Sequence, residues 1–208
     1  MNKFDKRKLV IRQQLIGAQM FDALVAMEFA DKYHTGTRKD GVSPEFDHQV
    51  CIALYAMTLP YIRYKEEVMA TIWLHDVRED YHVPHQDILN LFTDRDKAHR
   101  IGNAVDAMTK EVNGVRRDEQ ALFDTMANDP IASIAKGCDR IHNIQSMVSV
   151  FTPEKQRKYI DEVQRLFFPM LKKARRLFPY QVTAYENIKF VLNSQIELIS
   201  AALGEEND

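Results

Sequence analysis

The chain of 208 residues is poor in the two residues that most often interrupt regular structure, with seven glycines and seven prolines. This is about half of their usual frequency in proteins, whereas Leu, Met, Ala, Glu, Lys and Gln, which favour helices, are common. An all-β sandwich or barrel needs many tight turns, which Gly and Pro supply. The composition therefore argues against that class and predicts long helices joined by few turns.

Cysteine and excess charge are also scarce. Cys51 and Cys138 lie far apart and form no CxxC pair, so the sequence offers neither a zinc knuckle nor a disulfide framework. This usage is typical of a reducing, intracellular compartment. The 28 Lys and Arg and 30 Asp and Glu residues leave a formal net charge of −2. A chain so balanced is not expected to bind nucleic acid by neutralising phosphates over its whole surface.

Long hydrophobic runs are missing as well. The longest charge-free stretch, between Asp47 and Arg63, has 15 residues and contains Pro60, whereas a transmembrane helix needs about 20 apolar residues. The N-terminal segment MNKFDKRKLVIRQQ lacks the apolar core and the small-residue cleavage site of a signal peptide. We therefore expect a soluble, cytoplasmic protein with no membrane partner.

Apolar residues recur at helical spacing along most of the chain. The pattern predicts helices over 15–33, 47–60, 65–79, 84–92, 94–110, 118–127, 130–148, 152–177 and 183–203, with loops at 34–47 and 111–117. Asp47 is a predicted N-cap, and Pro130 and Pro153 suit first helical turns. No segment has the alternation of a convincing strand. The expected fold is an all-α, single-domain bundle of about eight or more helices.

A run of metal-ligand residue types begins where the apolar part of the helix over 65–79 ends. On a helix, His75 and Glu79 share one face, and Asp76 and Asp80 share another. His75 and Asp76 point about 100° apart, and both can reach one ion at the helix surface. Imidazole together with carboxylate suits Mn, Fe, Co or Zn. On composition alone, a solvated helix end without function explains the run equally well.

A second candidate lies in the segment KGCDRIHN (136–143), whose flanks are apolar. Asp139 falls beside the apolar stripe, where an unpaired carboxylate is costly. The compensating charge is either Lys136 or Arg140, or else a divalent metal ion. His48, by itself, is more typical of a histidine without a ligand role.

A third candidate is the basic pair Arg38-Lys39, which precedes Asp40 and Gly41 in the polar loop. Adjacent cations beside a glycine can contact phosphates, and an arginine can also stack on a base. Taken by itself, such a pair is more often a solvated surface feature.

Together these residues carry a family resemblance. The order His48, His75-Asp76, Asp139 resembles the H…HD…D pattern of the HD metal-dependent phosphohydrolases. The segments HTGTRKDGVSPEFDH (34–48), LHDVRED (74–80) and KGCDRIHN (136–143) are similar, in order and separation, to the hydrolase domain of RelA/SpoT-type alarmone enzymes. The resemblance covers about residues 20–175. It implies an HD-type domain over 1–178, with 179–208 as a C-terminal helix and tail packed on it, as in a free-standing small alarmone hydrolase without a synthetase domain.

The resemblance also implies site residues and a reaction. It implies four ligands for one Mn²⁺ ion: His48, His75, Asp76 and Asp139. It implies that Glu79 and Asp80 are the catalytic acids that activate water. The positions implied to contact the nucleotide are Arg38, Lys39, Asn143 and Tyr159. The implied reaction removes the 3′-pyrophosphate from ppGpp or pppGpp and yields GDP or GTP plus pyrophosphate.

Two local features depart from the family pattern. The segment from Arg38 to His48 is one residue longer than in the long, bifunctional RelA/SpoT-type enzymes, so a bulge over 42–46 is expected to reshape the pocket. Arg78 stands where the family usually has an apolar residue. Its charge is expected either to face solvent or to add a cation near the diphosphate.

Three other functions remain open at this point. An HD-type nucleotidase would share the metal ligands but has no need of the Arg-Lys loop. Removal of pyrophosphate from a tRNA 3′ end would use the same pocket, with a basic patch formed by Lys172, Lys173, Arg175 and Arg176. A non-enzymatic module that senses a guanosine nucleotide would be expected to carry a degenerate site, whereas the metal and acid motifs here are complete.

Overall fold

Helices make up most of the described chain, residues 1–112 and 114–204, in the computed structural model. In chain order they are α1 (Lys3–Gly17), α2 (Phe21–Ala30), α3 (Asp47–Thr58), α4 (Lys65–Asp80), α5 (His85–Leu89), α6 (Arg95–Met108), α7 (Glu119–Ala127), α8 (Ala132–Met147), α9 (Pro153–Glu162), α10 (Phe168–Leu177) and α11 (Val182–Ala202). The predicted all-α bundle of eight or more helices is confirmed. None of the helices in the described part of the chain combines the length and apolar content that a membrane crossing requires.

The N-terminal region differs from the prediction of one helix over 15–33. The structure has α1, which was not predicted, and a separate α2 that begins at Phe21. Between them Gln19 adopts a left-handed backbone conformation with φ of 57°, which no α-helix can contain. The break lets α1 pack against both α2 and α3. The apolar spacing continues through the break, so periodicity alone did not reveal it.

Two further boundaries differ from the sequence expectation. The predicted loop at 111–117 contains a small antiparallel ribbon, β1 (Glu111–Val112) and β2 (Val115–Arg116); strands of two residues are too short to show alternation. The predicted helix over 152–177 is divided into α9 and α10 by a π-helical turn, Val163–Phe167. Pro169 lacks the N–H that would bond to the carbonyl four residues earlier, which favours a widened turn immediately before it.

Helix α4 lies at the centre of the bundle, since α2, α3, α6 and α8 all pack against it. Its middle section is fully buried, including Trp73, and its C-terminal part carries the predicted site residues. Helix α8 contacts α3, α4 and α11. A Cβ atom on Gly137 would lie 2.7 Å from Cδ1 of Ile188 in α11, so glycine allows the close approach of these two helices. This packing holds α3 and α8 against α4.

Candidate active site

The residues predicted to bind a metal ion come together where α3, α4 and α8 meet. One donor atom each from His48, His75 and Asp76 lies within 4.8 Å of the others. Asp139 on α8 is not part of that group, although its Oδ1 atom is 3.1 Å from Nε2 of His48. Three of the four predicted ligands therefore form a compact cluster, and the fourth touches its edge.

The orientation of His75 leaves one ring nitrogen available to a cation. Its Nδ1 atom is 2.9 Å from the carbonyl oxygen of Ile72, and because a carbonyl only accepts, Nδ1 carries the hydrogen. In the neutral ring, Nε2 then presents a lone pair 3.1 Å from Oδ1 of Asp76. Two acceptors this close repel each other unless positive charge lies between them. A divalent cation meets that requirement, so this donor set fits a metal ion.

Asp76 is held as a carboxylate. Burial raises the pKa of this carboxyl group, but the neighbouring His75 and His48 outweigh burial and leave the pKa below its usual value. The amide of Gln49 donates a hydrogen bond of 2.8 Å to Oδ2 of Asp76. An ionised, oriented carboxylate is the form that binds a cation.

Asp139 is almost completely buried and is compensated by several donors. Lys136 Nζ lies 2.6 Å from Oδ2, and the Asn143 amide donates to Oδ1 at 2.7 Å. Burial raises the pKa of Asp139, but Lys136 and His48 outweigh it and hold the pKa well below its usual value. Of the two cations weighed from the sequence, Lys136 is the one that pairs with Asp139. Arg140 instead pairs with Glu162.

Glu79 and Asp80 follow one turn after the predicted ligands of α4. Glu79 accepts a hydrogen bond of 3.3 Å from the backbone N–H of Lys110, and Nζ of Lys110 is 3.4 Å from its Oε1. Among the described residues, no group donates a hydrogen bond to Asp80. Burial, followed by the charges of Asp76 and Glu79, raises the pKa of Asp80. The two acids thus have different surroundings within one site.

A single cleft of about 490 Å³ connects these groups with the predicted nucleotide contacts. All ten site residues predicted from the sequence line it: Arg38, Lys39, His48, His75, Asp76, Glu79, Asp80, Asp139, Asn143 and Tyr159. Within the lining, the Tyr159 ring is 5.2 Å from the Phe151 ring, and Lys39 Nζ is 5.8 Å from the Phe151 ring. Cations, aromatic faces and the acidic cluster therefore share one space.

The Arg38-Lys39 pair lies on an ordered turn. The backbone N–H of Arg38 donates to Ser43 O at 2.9 Å, and Gly41 takes φ of 71° at the tip. The Asp40 carboxylate accepts hydrogen bonds from the backbone N–H groups of Val42 and Ser43 and from the Ser43 hydroxyl. The turn presents Arg38 and Lys39 to the cleft and leaves Val42 at its exposed tip.

Three residues of the site were not assigned a role from the sequence: Gln49, Lys110 and His142. Their contacts join them to Asp76, Glu79 and His48 respectively. The two partners of these contacts are 27, 31 and 94 positions apart in the sequence, respectively. Of the three, His142 lies inside the segment KGCDRIHN (136–143), whereas Gln49 and Lys110 lie outside the three segments that carry the family resemblance. Motif spacing therefore did not indicate Gln49 or Lys110 as site residues.

The expectation that Arg78 faces solvent or adds charge near the diphosphate is wrong. Its Nε atom donates to Oδ1 of Asp106 at 2.9 Å, and Nη1 donates to the carbonyl of Val83 at 2.8 Å. His85 contacts the other oxygen of Asp106 at 2.7 Å. Arg78 does not line the cleft. It connects the C-terminal end of α4 to α6 and to the loop that follows α4.

The basic patch on α10 lies apart from the cleft lining. Lys173 pairs with Asp124 at 3.2 Å, and Arg175 pairs with Glu186. None of Lys172, Lys173, Arg175 and Arg176 lines the cleft that holds the acidic cluster. The patch therefore gives no specific support for a tRNA substrate.

Comparison with known proteins agrees with this geometry. The sequence profile of one family, the HD domain, matches residues 26–177. The chain belongs to the HD domain family. The match includes the His/Asp cluster of α3 and α4.

Two curated relatives resemble most of this chain but are much longer. This chain is 28% identical over 152 residues to a GTP pyrophosphokinase of Streptomyces antibioticus. The aligned region covers 70% of this chain and 17% of the pyrophosphokinase. It is also 28% identical over 147 residues to a probable guanosine-3′,5′-bis(diphosphate) 3′-pyrophosphohydrolase of Synechocystis sp. Here the aligned region covers 68% of this chain and 19% of the relative. The chain thus spans less than a fifth of either relative.

Proposed function

We propose that this HD-family protein is a metal-dependent hydrolase that removes the 3′-pyrophosphate from ppGpp or pppGpp and yields GDP or GTP plus pyrophosphate. In this proposal His48, His75, Asp76 and Asp139 hold one Mn²⁺ ion. The observation that carries the proposal is the shared cleft, in which the Arg38-Lys39 turn, the His/Asp cluster and the Glu79-Asp80 pair face the same space. One of the two relatives is named for this reaction.

Phosphoryl transfer on such a substrate needs positive charge, an activated water and a proton acceptor. A divalent ion supplies Lewis-acid polarisation of a phosphoryl oxygen and lowers the pKa of bound water. Arg38 and Lys39 offset the charge of the diphosphate and orient it. Water attacks the phosphorus attached to the 3′-oxygen, and a carboxylate of the Glu79-Asp80 pair accepts a proton from it. The bond between this phosphorus and the 3′-oxygen breaks, the 3′-oxygen takes up a proton from solvent to become a hydroxyl, and pyrophosphate leaves with the oxygen of the water.

The aromatic part of the cleft lining suits a nucleoside. The rings of Tyr159 and Phe151 offer aromatic faces to a base, and Arg38, which lines the same cleft, can stack on a base as well. Asn143 lines the same space, although its amide nitrogen is used by Asp139, which leaves its carbonyl oxygen for a ribose hydroxyl. An HD nucleotidase acting on ordinary deoxynucleotides has no need of the Arg38-Lys39 turn.

Product analysis tests the proposal directly. With Mn²⁺ present, we expect ppGpp to give GDP and intact pyrophosphate faster than GTP, dGTP or a 3′-pyrophosphorylated tRNA is consumed. Ion-exchange chromatography separates all of these products. Release of orthophosphate, or faster turnover of dGTP, would instead place the protein among the nucleotidases. Preference for the tRNA would favour the other substrate that shares this chemistry.

The two acids of α4 are expected to affect turnover without affecting metal binding. Asp80→Asn should lower kcat about 10²-fold or more, because a base with a raised pKa is lost. Glu79→Gln should also lower kcat, but by less, since Lys110 holds the Glu79 carboxylate in an ion pair.

The matched control is Glu197→Gln on the exposed face of α11, which should leave kcat unchanged. Bound Mn²⁺, ppGpp affinity and the single-turnover rate are measured for all three variants. Wild-type turnover in both Asp80→Asn and Glu79→Gln would show that the proton acceptor lies elsewhere.

A further inference from the structure

His48 has contacts on both ring nitrogens, and both involve residues of α8. Its Nε2 atom is 3.1 Å from Oδ1 of Asp139. Its Nδ1 atom is 2.7 Å from Nδ1 of His142, with the two ring centroids 4.8 Å apart. Asp139 and His142 are three residues apart and therefore share one face of the helix. Helix α8 thus contacts the His48 ring from both sides.

A hydrogen bond between two imidazole nitrogens contains one hydrogen, so one ring donates and the other accepts. The Nε2 atom of His48 faces the carboxylates, 3.1 Å from Asp139 and 3.8 Å from Asp76. A nitrogen that binds a cation there carries no hydrogen. The hydrogen of a neutral His48 ring is then on Nδ1, which makes His48 the donor and His142 the acceptor.

We propose that His142 is a positioning residue that holds His48 in the tautomer and ring orientation needed to bind the metal ion. The proposal rests on the metal site of the proposed function but not on the identity of the substrate. His75 has the ordinary arrangement, in which Nδ1 donates to the carbonyl of Ile72. At His48 the acceptor is a side chain, so a substitution can remove it without changing the backbone.

Two substitutions of nearly equal shape distinguish the role of His142 as a hydrogen-bond acceptor from its role in packing. In His142→Asn, Oδ1 takes nearly the position of the histidine Nδ1 and accepts the same hydrogen bond. In His142→Leu, a side chain of the same branching offers no acceptor. Loss of an outer partner of this kind typically costs about 10- to 100-fold in metal affinity. We expect that loss in His142→Leu, and near wild-type affinity in His142→Asn.

The measurement is a Mn²⁺ titration of the purified protein without substrate, alongside the Tm of each metal-free variant. A structural role alone would lower the Tm of His142→Leu and leave its Mn²⁺ affinity unchanged, which would overturn the proposal. Equal loss of affinity in both variants would also overturn it, because the acceptor would then be irrelevant. If Mn²⁺ binds as expected but ppGpp is not hydrolysed, only the proposed substrate is wrong. If the wild type binds no Mn²⁺, both proposals fail.

A second readout reports the tautomers in protein loaded with Zn²⁺, a diamagnetic ion that also suits imidazole and carboxylate ligands. Nitrogen-15 NMR of histidine-labelled protein reports which ring nitrogens carry hydrogen, and the spectrum of His142→Asn assigns the His142 signals. In the Zn²⁺-loaded protein we expect Nδ1 of His48 to be protonated and Nδ1 of His142 to be unprotonated. A hydrogen on Nδ1 of His142 in that state would reverse the direction of the bond and overturn the proposal.

Discussion

Replacing His75 with alanine is expected to abolish Mn²⁺ binding and hydrolysis together. The imidazole supplies one of the three clustered donor atoms, and a metal ion contributes several kcal/mol to stabilising the charge of a phosphoryl-transfer transition state. A loss of about 4 kcal/mol corresponds to about 10³-fold in rate. Bound Mn²⁺ is measured by elemental analysis after dialysis, and hydrolysis by pyrophosphate release.

The matched control is His99→Ala, which removes the same side chain from an exposed position of α6. It should keep the Mn²⁺ content and activity of the wild type. Circular dichroism establishes that both variants are folded, since His75 is buried. A folded His75→Ala protein that retains Mn²⁺ as the wild type does would show that the site is assigned incorrectly.

Replacing Asp139 with alanine is expected to lower the free energy of unfolding by about 3–5 kcal/mol in metal-free protein. The substitution leaves Lys136, which is 6% exposed, without the carboxylate that now lies 2.6 Å from its Nζ atom. An uncompensated buried charge has this cost, whereas loss of the whole pair is far less destabilising. Combining Asp139→Ala with Lys136→Met should therefore restore much of the lost stability.

Urea unfolding in the presence of a chelator measures these differences. Because the pKa of Asp139 is held below its usual value, its stabilising contribution is present at neutral pH. That contribution should shrink as the pH falls below the ordinary aspartate pKa of about 3.9. Asp161→Ala, which breaks an exposed ion pair with Arg165, is the control and should cost at most about 0.5 kcal/mol. A double variant no more stable than Asp139→Ala would refute the role given to the buried pair.

Local sequence was sufficient for most of the helices. The limits predicted for the helices that became α3 and α4 lie within a few residues of the observed ones, because apolar spacing and end signals are short-range properties. The same spacing ran through Gly17 and Gln19 and hid the break between α1 and α2. That break depends on packing against α3, which the local pattern does not record.

In the candidate active site, too, some features could be predicted from local sequence and others depended on the packing of the helices. The spacing of His75, Asp76, Glu79 and Asp80 on one helix placed ligand and acid types together, and the ordered motifs indicated the family. Spacing alone left Asp139 with three possible partners, namely Lys136, Arg140 or a metal ion. The fold placed Lys136 against Asp139 and directed Arg140 to Glu162.

The sequence by itself determined the helical class, the HD family and ten of the residues that line the cleft. Only the tertiary structure decided that Arg78 ties α4 to α6, that Lys110 holds Glu79, and that His142 contacts His48. Helix formation and motif order follow from neighbours within one or two turns. Ion pairs and hydrogen bonds between helices depend instead on which side chains the packing of α3, α4, α6 and α8 brings within about 3 Å, and residues 28 to 94 positions apart carry no local trace of that contact.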